Sequence, residues 1–134
     1  MLGVLDSDYI IANDVLKNCF TQEHNFLIYK DAKDLTGFRD NTEFLKISET
    51  SVDFYWATVV YFKKSKEVET FFNLTQHIQD NWQHYNSIFQ INKATFRNDW
   101  VFSIAIHIMN GYQTGSFASS LPGKKYYTAD RDIL

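Results

Sequence analysis

The stretch SVDFYWATVVYFKK, residues 51–64, decides how the rest of the chain is read. It sets Val52, Phe54, Trp56, Val59, Tyr61 and Phe62 between charged segments, and a run so rich in β-branched and aromatic residues fits a pleated, buried surface. Its second half is expected to be an internal strand. The segment that follows changes period. From Lys66 to Ile88 the positions Val68, Phe71, Phe72, Thr75, Ile78, Trp82 and Tyr85, apolar but for the threonine, recur every three or four residues, with Glu67, Glu69, Gln76, Gln79, Asp80 and Gln83 between them. That spacing predicts a helix with one apolar face. A further helix is expected from Asn98 to Met109, apolar nearly all round and therefore deeply packed, with Gly111 just past its end.

On the other side of residues 51–64, Leu2-Gly3-Val4-Leu5 reads as a short buried parallel strand that stops at Asp6-Ser7-Asp8. Tyr9 to Phe20 reads as a helix, with Asn13 able to cap a short run carrying Val15, Leu16 and Cys19. Residues 25–29 resemble a strand, and the polar stretch from Lys30 to Asn41 with Gly37 resembles a loop. The tail from Tyr112 is expected to be turns around Gly115, Pro122 and Gly123, with one edge strand near Lys125-Tyr126-Tyr127.

The 134 residues are enough for one ordinary domain, and residues 1–134 are read as one. Twelve Phe, eight Tyr and three Trp supply the large side chains of a packed core, which argues against disorder. A net charge of −3 gives no general pull toward nucleic acid or anionic membranes. Cys19 is the single cysteine, so neither an intrachain disulfide nor a cysteine-rich zinc site can form, and a reducing, cytoplasmic location is expected. No apolar run approaches the roughly 18 residues that a membrane-spanning helix needs. G-x-S-x-G, P-loop and G-x-G-x-x-G patterns are absent.

Two acidic motifs stand out. Asp6 and Asp8, one residue apart after an apolar strand, project to the same side and can share a divalent cation; the plain alternative is a turn with acidic caps for the next helix. Asp99, in Arg97-Asn98-Asp99, is either a first-turn acid that complements the helix dipole or a carboxylate aimed into a cleft, and Thr95 can cap with Asn98 answering it. His77 and His84 are seven residues apart, two helical turns, too far along the axis for one metal. They and His107 read as hydrogen-bonded or solvated helix residues. Phe54 and Trp56 read as core.

The ordered set LDSDYII, VDFYWATVVYFKKS and FRNDWVFSIAIHIMNG resembles the metal-binding and catalytic portion of GT-A type glycosyltransferases, which use nucleotide-sugar donors. The resemblance implies an α/β fold, a truncated GT-A-like mixed sheet flanked by helices. It implies that Asp6 and Asp8 bind Mn2+ or Mg2+, that Ser7, Ala57, Thr58 and Asn98 contact substrate, and that Asp99 is catalytic, orienting sugar or acceptor. Members of the family carry a nucleotide-binding half before the D-x-D, where this sequence has five residues. A fragment or reduced form is therefore expected, with a nucleotide-sugar donor, an unidentified acceptor, and association with itself or with a chain supplying the first half. Two other readings stay open: a non-catalytic binding or interaction module, and a metal-dependent phosphodiester enzyme using the same three carboxylates.

Overall fold

The computed structural model describes residues 2–5, 11, 14, 16–17, 25–30, 32–34, 52–91, 97–113, 115–122 and 125–127. Five strands and three helices lie among them: β1 (Leu2–Leu5), β2 (Phe26–Tyr29), β3 (Ala32–Asp34), β4 (Trp56–Phe62), α1 (Lys66–Asp80), α2 (Trp82–Ile88), α3 (Asn98–Met109) and β5 (Lys125–Tyr127). The chain is a small α/β protein. β4 is the middle of a three-stranded sheet of order β1-β4-β2. Both pairings are antiparallel, so the main sheet is not the mixed one expected; among the described residues, parallel pairing joins β3 to β5 and forms a bridge between Leu27 and Ser119.

The correction is largest at β1. Its four residues run antiparallel to β4, from Leu2 opposite Phe62 to Leu5 opposite Val59, and all four are exposed. The apolar run that reads as a buried parallel strand is an exposed edge strand, paired only with β4 among the described residues. Gly3 has a local reason to be glycine: a Cβ there would sit 2.9 Å from the Tyr61 ring. β3 also departs from expectation. Ala32–Asp34 falls inside the stretch read as a loop, and its partner strand lies about ninety residues further on, a pairing no local pattern can announce.

The helices follow their periodicity, with one break. Ser65 caps α1, its hydroxyl accepting from Val68 N at 3.2 Å, with Glu67 and Glu69 in the first turn where the helix dipole favours them. At Asn81 the expected single helix divides, as the Asn81 amide and backbone N–H both donate to His77 O at 2.9 and 3.1 Å. α3 spans Asn98–Met109 as expected and closes on a Schellman motif, with Tyr112 N donating to His107 O, Gly111 N to Ile108 O, and Gly111 at φ +74°. Of the helix expected over Tyr9 to Phe20, only a 3₁₀ turn at Leu16 and Lys17 lies within the described residues, closed by Lys17 N donating to Asp14 O. Among the described residues no helix is long and apolar enough to cross a membrane.

The core sits where α1 and α3 cover one face of the sheet. Phe71, fully buried on α1, stacks against Phe117 at 5.3 Å and meets Phe26 at 4.6 Å and Phe102 at 5.5 Å. Phe71→Ala is expected to cost about 3–5 kcal/mol in urea unfolding, through lost apolar burial and the cavity left behind. Val4→Thr, on the exposed edge strand, should change stability by no more than about 0.5 kcal/mol.

Candidate functional site

One end of the sheet gathers the polar groups. β1 and β2 finish there, at Leu5 and Tyr29, and β4 begins there. The β2–β4 register breaks at this end: Ile28 pairs with Val60, but Tyr29 pairs with Trp56, so Ala57, Thr58 and Val59 bulge without partners on β2. A bulge bends a strand and leaves donors without ladder partners, and it commonly occurs beside functional sites.

α3 supplies what the ladder lacks. Asp99, in its first turn, accepts the Ala57 N–H at Oδ1 over 2.7 Å, and its Oδ2 accepts from Arg97 Nη2. Ser103, four residues on and fully buried, accepts the Tyr55 N–H at 2.8 Å and donates to Asp99 O at 2.6 Å. The spacing of four sets both side chains on one face of the helix, toward β4. Two successive outward N–H groups of the strand are thereby captured by side chains of one helix. The Asp99 side chain is only 13% exposed, held by two donors and fixed in direction.

Around this anchor the aromatics of Phe54-Tyr55-Trp56 are all buried, with Phe54 and Trp56 in core positions as their strand setting implies. Each ring carries a cation: Arg97 lies 5.8 Å from the Phe54 centroid, Lys30 6.0 Å from Tyr55 and Lys125 5.3 Å from Trp56. Arg97 also lies 5.8 Å from the Trp100 ring. Lys30 pairs with Asp53 at 3.0 Å. Burial pushes the Tyr55 phenol above its ordinary value, the Lys30 charge works against that and the Asp53 charge adds to it.

The residues singled out in the sequence divide accordingly. Ala57 and Thr58 lie in the bulge, half-buried; Asn98 is exposed at the start of α3; Asp99 lies against Ala57. Asp6, Ser7 and Asp8 lie outside the described residues, and Leu5, which precedes them, ends β1 at this same end of the sheet. Thr95 also lies outside them; α3 starts at Arg97 in an extended conformation with no side-chain cap. Among the described residues no group of three His, Cys, Asp or Glu side chains could hold a metal ion. Two residues that sequence reasoning passed over matter here. Ser103 could have been found as the one hydroxyl in an apolar helix four residues after Asp99, and Arg97 as the cation two before it. His77 and His84 are exposed on α1 and α2, each edge-on to Tyr85, and His107 packs edge-on against Phe89 and Tyr112.

An open cleft of about 700 Å³ lies at the opposite end, lined by Asn25, Glu67, Met109, Asn110, Gln113, Gly115, Ser116, Phe117 and Ser119. Asn110 shapes its wall by accepting from Phe117 N at 2.9 Å, and a Cβ on Gly115 would come within 2.6 Å of that same oxygen. Comparison of the chain with protein-family models, with curated proteins and with solved structures finds no match.

Two outcomes follow from this geometry. Asp99→Ala leaves the Ala57 N–H without its acceptor and should cost about 1–3 kcal/mol in urea unfolding, with faster hydrogen exchange at Ala57, whereas Asp99→Asn keeps an acceptor and should cost less. A phenol whose folded pKa lies above its unfolded value contributes stability that is complete below the unfolded pKa of 10.0 and is lost as pH rises through the folded one. Thermal melts above pH 10 should therefore show a loss of stability that Tyr55→Phe reduces.

Proposed function

We propose that this chain is the metal-binding and catalytic unit of a GT-A-like glycosyltransferase, moving a sugar from a nucleotide-diphosphate donor to an acceptor hydroxyl. One observation supports the reading: Leu5, the residue before the D-x-D, and the described parts of the other two segments lie at one end of the sheet. β1 ends at Leu5 opposite Val59, the bulge holds Ala57 and Thr58 next to that point, and Asp99 reaches Ala57 from α3. Segments separated by some fifty and forty residues of sequence need not converge in this way.

The donor set fits a hard divalent ion. Mg2+ and Mn2+ are bound by one or two carboxylates together with substrate phosphates, and Asp6 and Asp8, following directly on β1, are the residues that would hold it. When bound, the ion neutralises charge on the departing diphosphate. The chain's own contribution is orientation. Asp99 uses one lone pair of Oδ1 for Ala57 and one of Oδ2 for Arg97, and a carboxylate has about four acceptor sites, so a second lone pair on each fixed oxygen would be open to a sugar or acceptor hydroxyl. Asn98, exposed beside it, would be a neighbouring polar contact, Ser7 is a substrate contact by the resemblance, and the small Ala57 leaves room at the bulge. The lone Cys19 fits a cytoplasmic setting.

A second reading has its own observation. All four residues of β1 are exposed, including Leu2, Val4 and Leu5 at 46%, 56% and 44%, which suits a module that docks a further chain or a second copy along this edge.

Calorimetric titration of Mn2+, with and without nucleoside diphosphates and nucleotide sugars, separates the two. Nucleotide affinity is expected to require Mn2+ and to vanish in Asp8→Ala. Asp99→Asn should keep donor affinity while transfer slows by on the order of 10²-fold. Unchanged Mn2+ affinity in a folded Asp8→Ala would sink the transferase reading.

A further inference from the structure

Asn110 is the one asparagine of the sequence that glycine follows. The pair is chemically labile, because glycine has no side chain to keep its backbone nitrogen away from the asparagine amide. When the Gly111 nitrogen gives up its proton and attacks Asn110 Cγ, a C–N bond forms, the Cγ–Nδ2 bond breaks, and ammonia departs to leave a cyclic succinimide. Water then opens the ring, at Cγ to give aspartate or at the main-chain carbonyl carbon to give isoaspartate, whose backbone runs through the former side chain and is longer by a methylene. The net change consumes an amide and a water and yields a carboxylate and an ammonium ion.

The fold withholds each requirement of ring closure. Asn110 caps α3 at φ −82° and ψ 5°, which turns Cβ well away from the Gly111 nitrogen about the Cα–C bond, whereas the ring needs the two nearly eclipsed. The Gly111 N–H donates to Ile108 O and the Tyr112 N–H to His107 O, both at 2.9 Å, so the attacking nitrogen is engaged in the turn. The side chain is held as well. Asn110 Oδ1 accepts the Phe117 N–H at 2.9 Å, and Gly115 packs so close that a Cβ there would lie 2.6 Å from the same oxygen. Phe117 is tied in turn to the core, stacked on Phe26 and on Phe71 at 5.3 Å each. Asn110 is only half-buried and Gly111 is exposed, so water reaches the pair once the turn opens.

We propose that Asn110-Gly111 is a deamidation site gated by the C-terminal turn of α3, latched in the folded chain and converted when the turn and its Phe117 anchor open. Conversion is one-way. An isoaspartate cannot restore the helix-end hydrogen bonds along its lengthened backbone. Either product also sets a carboxylate at a helix C-terminus, where the dipole disfavours it, and on the wall of the cleft that Glu67 lines too. The segment that carries Phe117 into the core is thereby unlatched.

Peptide mapping of the full chain by mass spectrometry, after incubation at neutral pH with and without denaturing guanidinium chloride, reads the conversion as the mass gain of an amide turned acid. In the denatured chain Asn110 is expected to convert faster than every other asparagine. In the folded chain it should convert at least about tenfold more slowly than in the denatured one, since two or more hydrogen bonds must break first. Gly115→Ala pushes Asn110 off its Phe117 anchor and should raise the folded rate by at least about threefold while leaving the denatured rate unchanged. Hydrogen exchange at the Tyr112 and Phe117 N–H groups of the wild type reads the opening itself and serves if that variant does not fold; both should be protected at least about tenfold. Equal rates in folded and denatured wild type, a folded Gly115→Ala that converts at the wild-type rate, unprotected exchange at the two amides, or a denatured Asn110 no faster than the other asparagines each overturns the gated site.

Discussion

The hydrogen bond from Ala57 N to Asp99 Oδ1 is the constraint on which the rest of the arrangement depends. β4 cannot keep its ladder with β2 through the bulge, and an amide left without an acceptor away from water costs about 1–3 kcal/mol. α3 removes that cost at two positions, with Asp99 at Ala57 and Ser103 at Tyr55. The irregular strand and the docked helix therefore require each other. A regular β4 would leave Asp99 without its backbone donor, and a helix displaced from this position would leave two strand N–H groups exposed to an apolar interior.

What holds α3 in place is mostly aromatic. Phe71 of α1 lies against Phe102 of α3 and against Phe26 of β2, and Phe117, past α3, stacks on both Phe71 and Phe26. Further along, Trp82 of α2 stacks on Trp100 at 6.0 Å with the rings nearly parallel, and Arg97 lies against Trp100. Among the described residues, aromatic side chains thus form a phenylalanine cluster that joins sheet to helices and a tryptophan pair that reaches the charged end, beside Phe54, Tyr55 and Trp56. Packing and site geometry are continuous through Trp100, buried in the core while touching the cation beside Asp99.

The elements that could be read from sequence are those whose pattern is local. α3 matches its expected span, β4 occupies the second half of residues 51–63, and β2 and β5 lie where short apolar and aromatic runs place them. The failures have physical causes. LGVL has the composition of an interior strand, but burial depends on what covers its faces, which composition does not contain. The break at Asn81 escapes periodicity because Trp82 and Tyr85 continue the apolar spacing while the Asn81 amide captures His77 O. β3 depends on a distant partner. At the site, Asp99 was legible as a residue but its bond to Ala57 was not, since the bulge that frees that N–H arises from pairing between strands. The D-x-D segment, Asp6 to Asp8, lies outside the described residues, so its place in the site rests on Leu5.

Asp99 can be a structural strut and a functional group at once because the two demands use different properties of the carboxylate. Anchoring consumes acceptor capacity: one oxygen faces the strand, the other the guanidinium. Orientation of a hydroxyl needs only that some remaining lone pair be fixed in space, and the two anchors supply that fixity. A carboxylate free to rotate would gain acceptor capacity and lose direction. The same reasoning explains why Asp99 lies in a first turn behind an apolar helix: six residues of α3 are buried, so the helix cannot shift along the sheet without opening its core, and the depth of Asp99 is set by packing well away from it. The residue type that helix electrostatics favours at this position is also the type that can receive a strand amide and a substrate hydroxyl, which is why the structural and the functional readings of Asp99 are compatible rather than opposed.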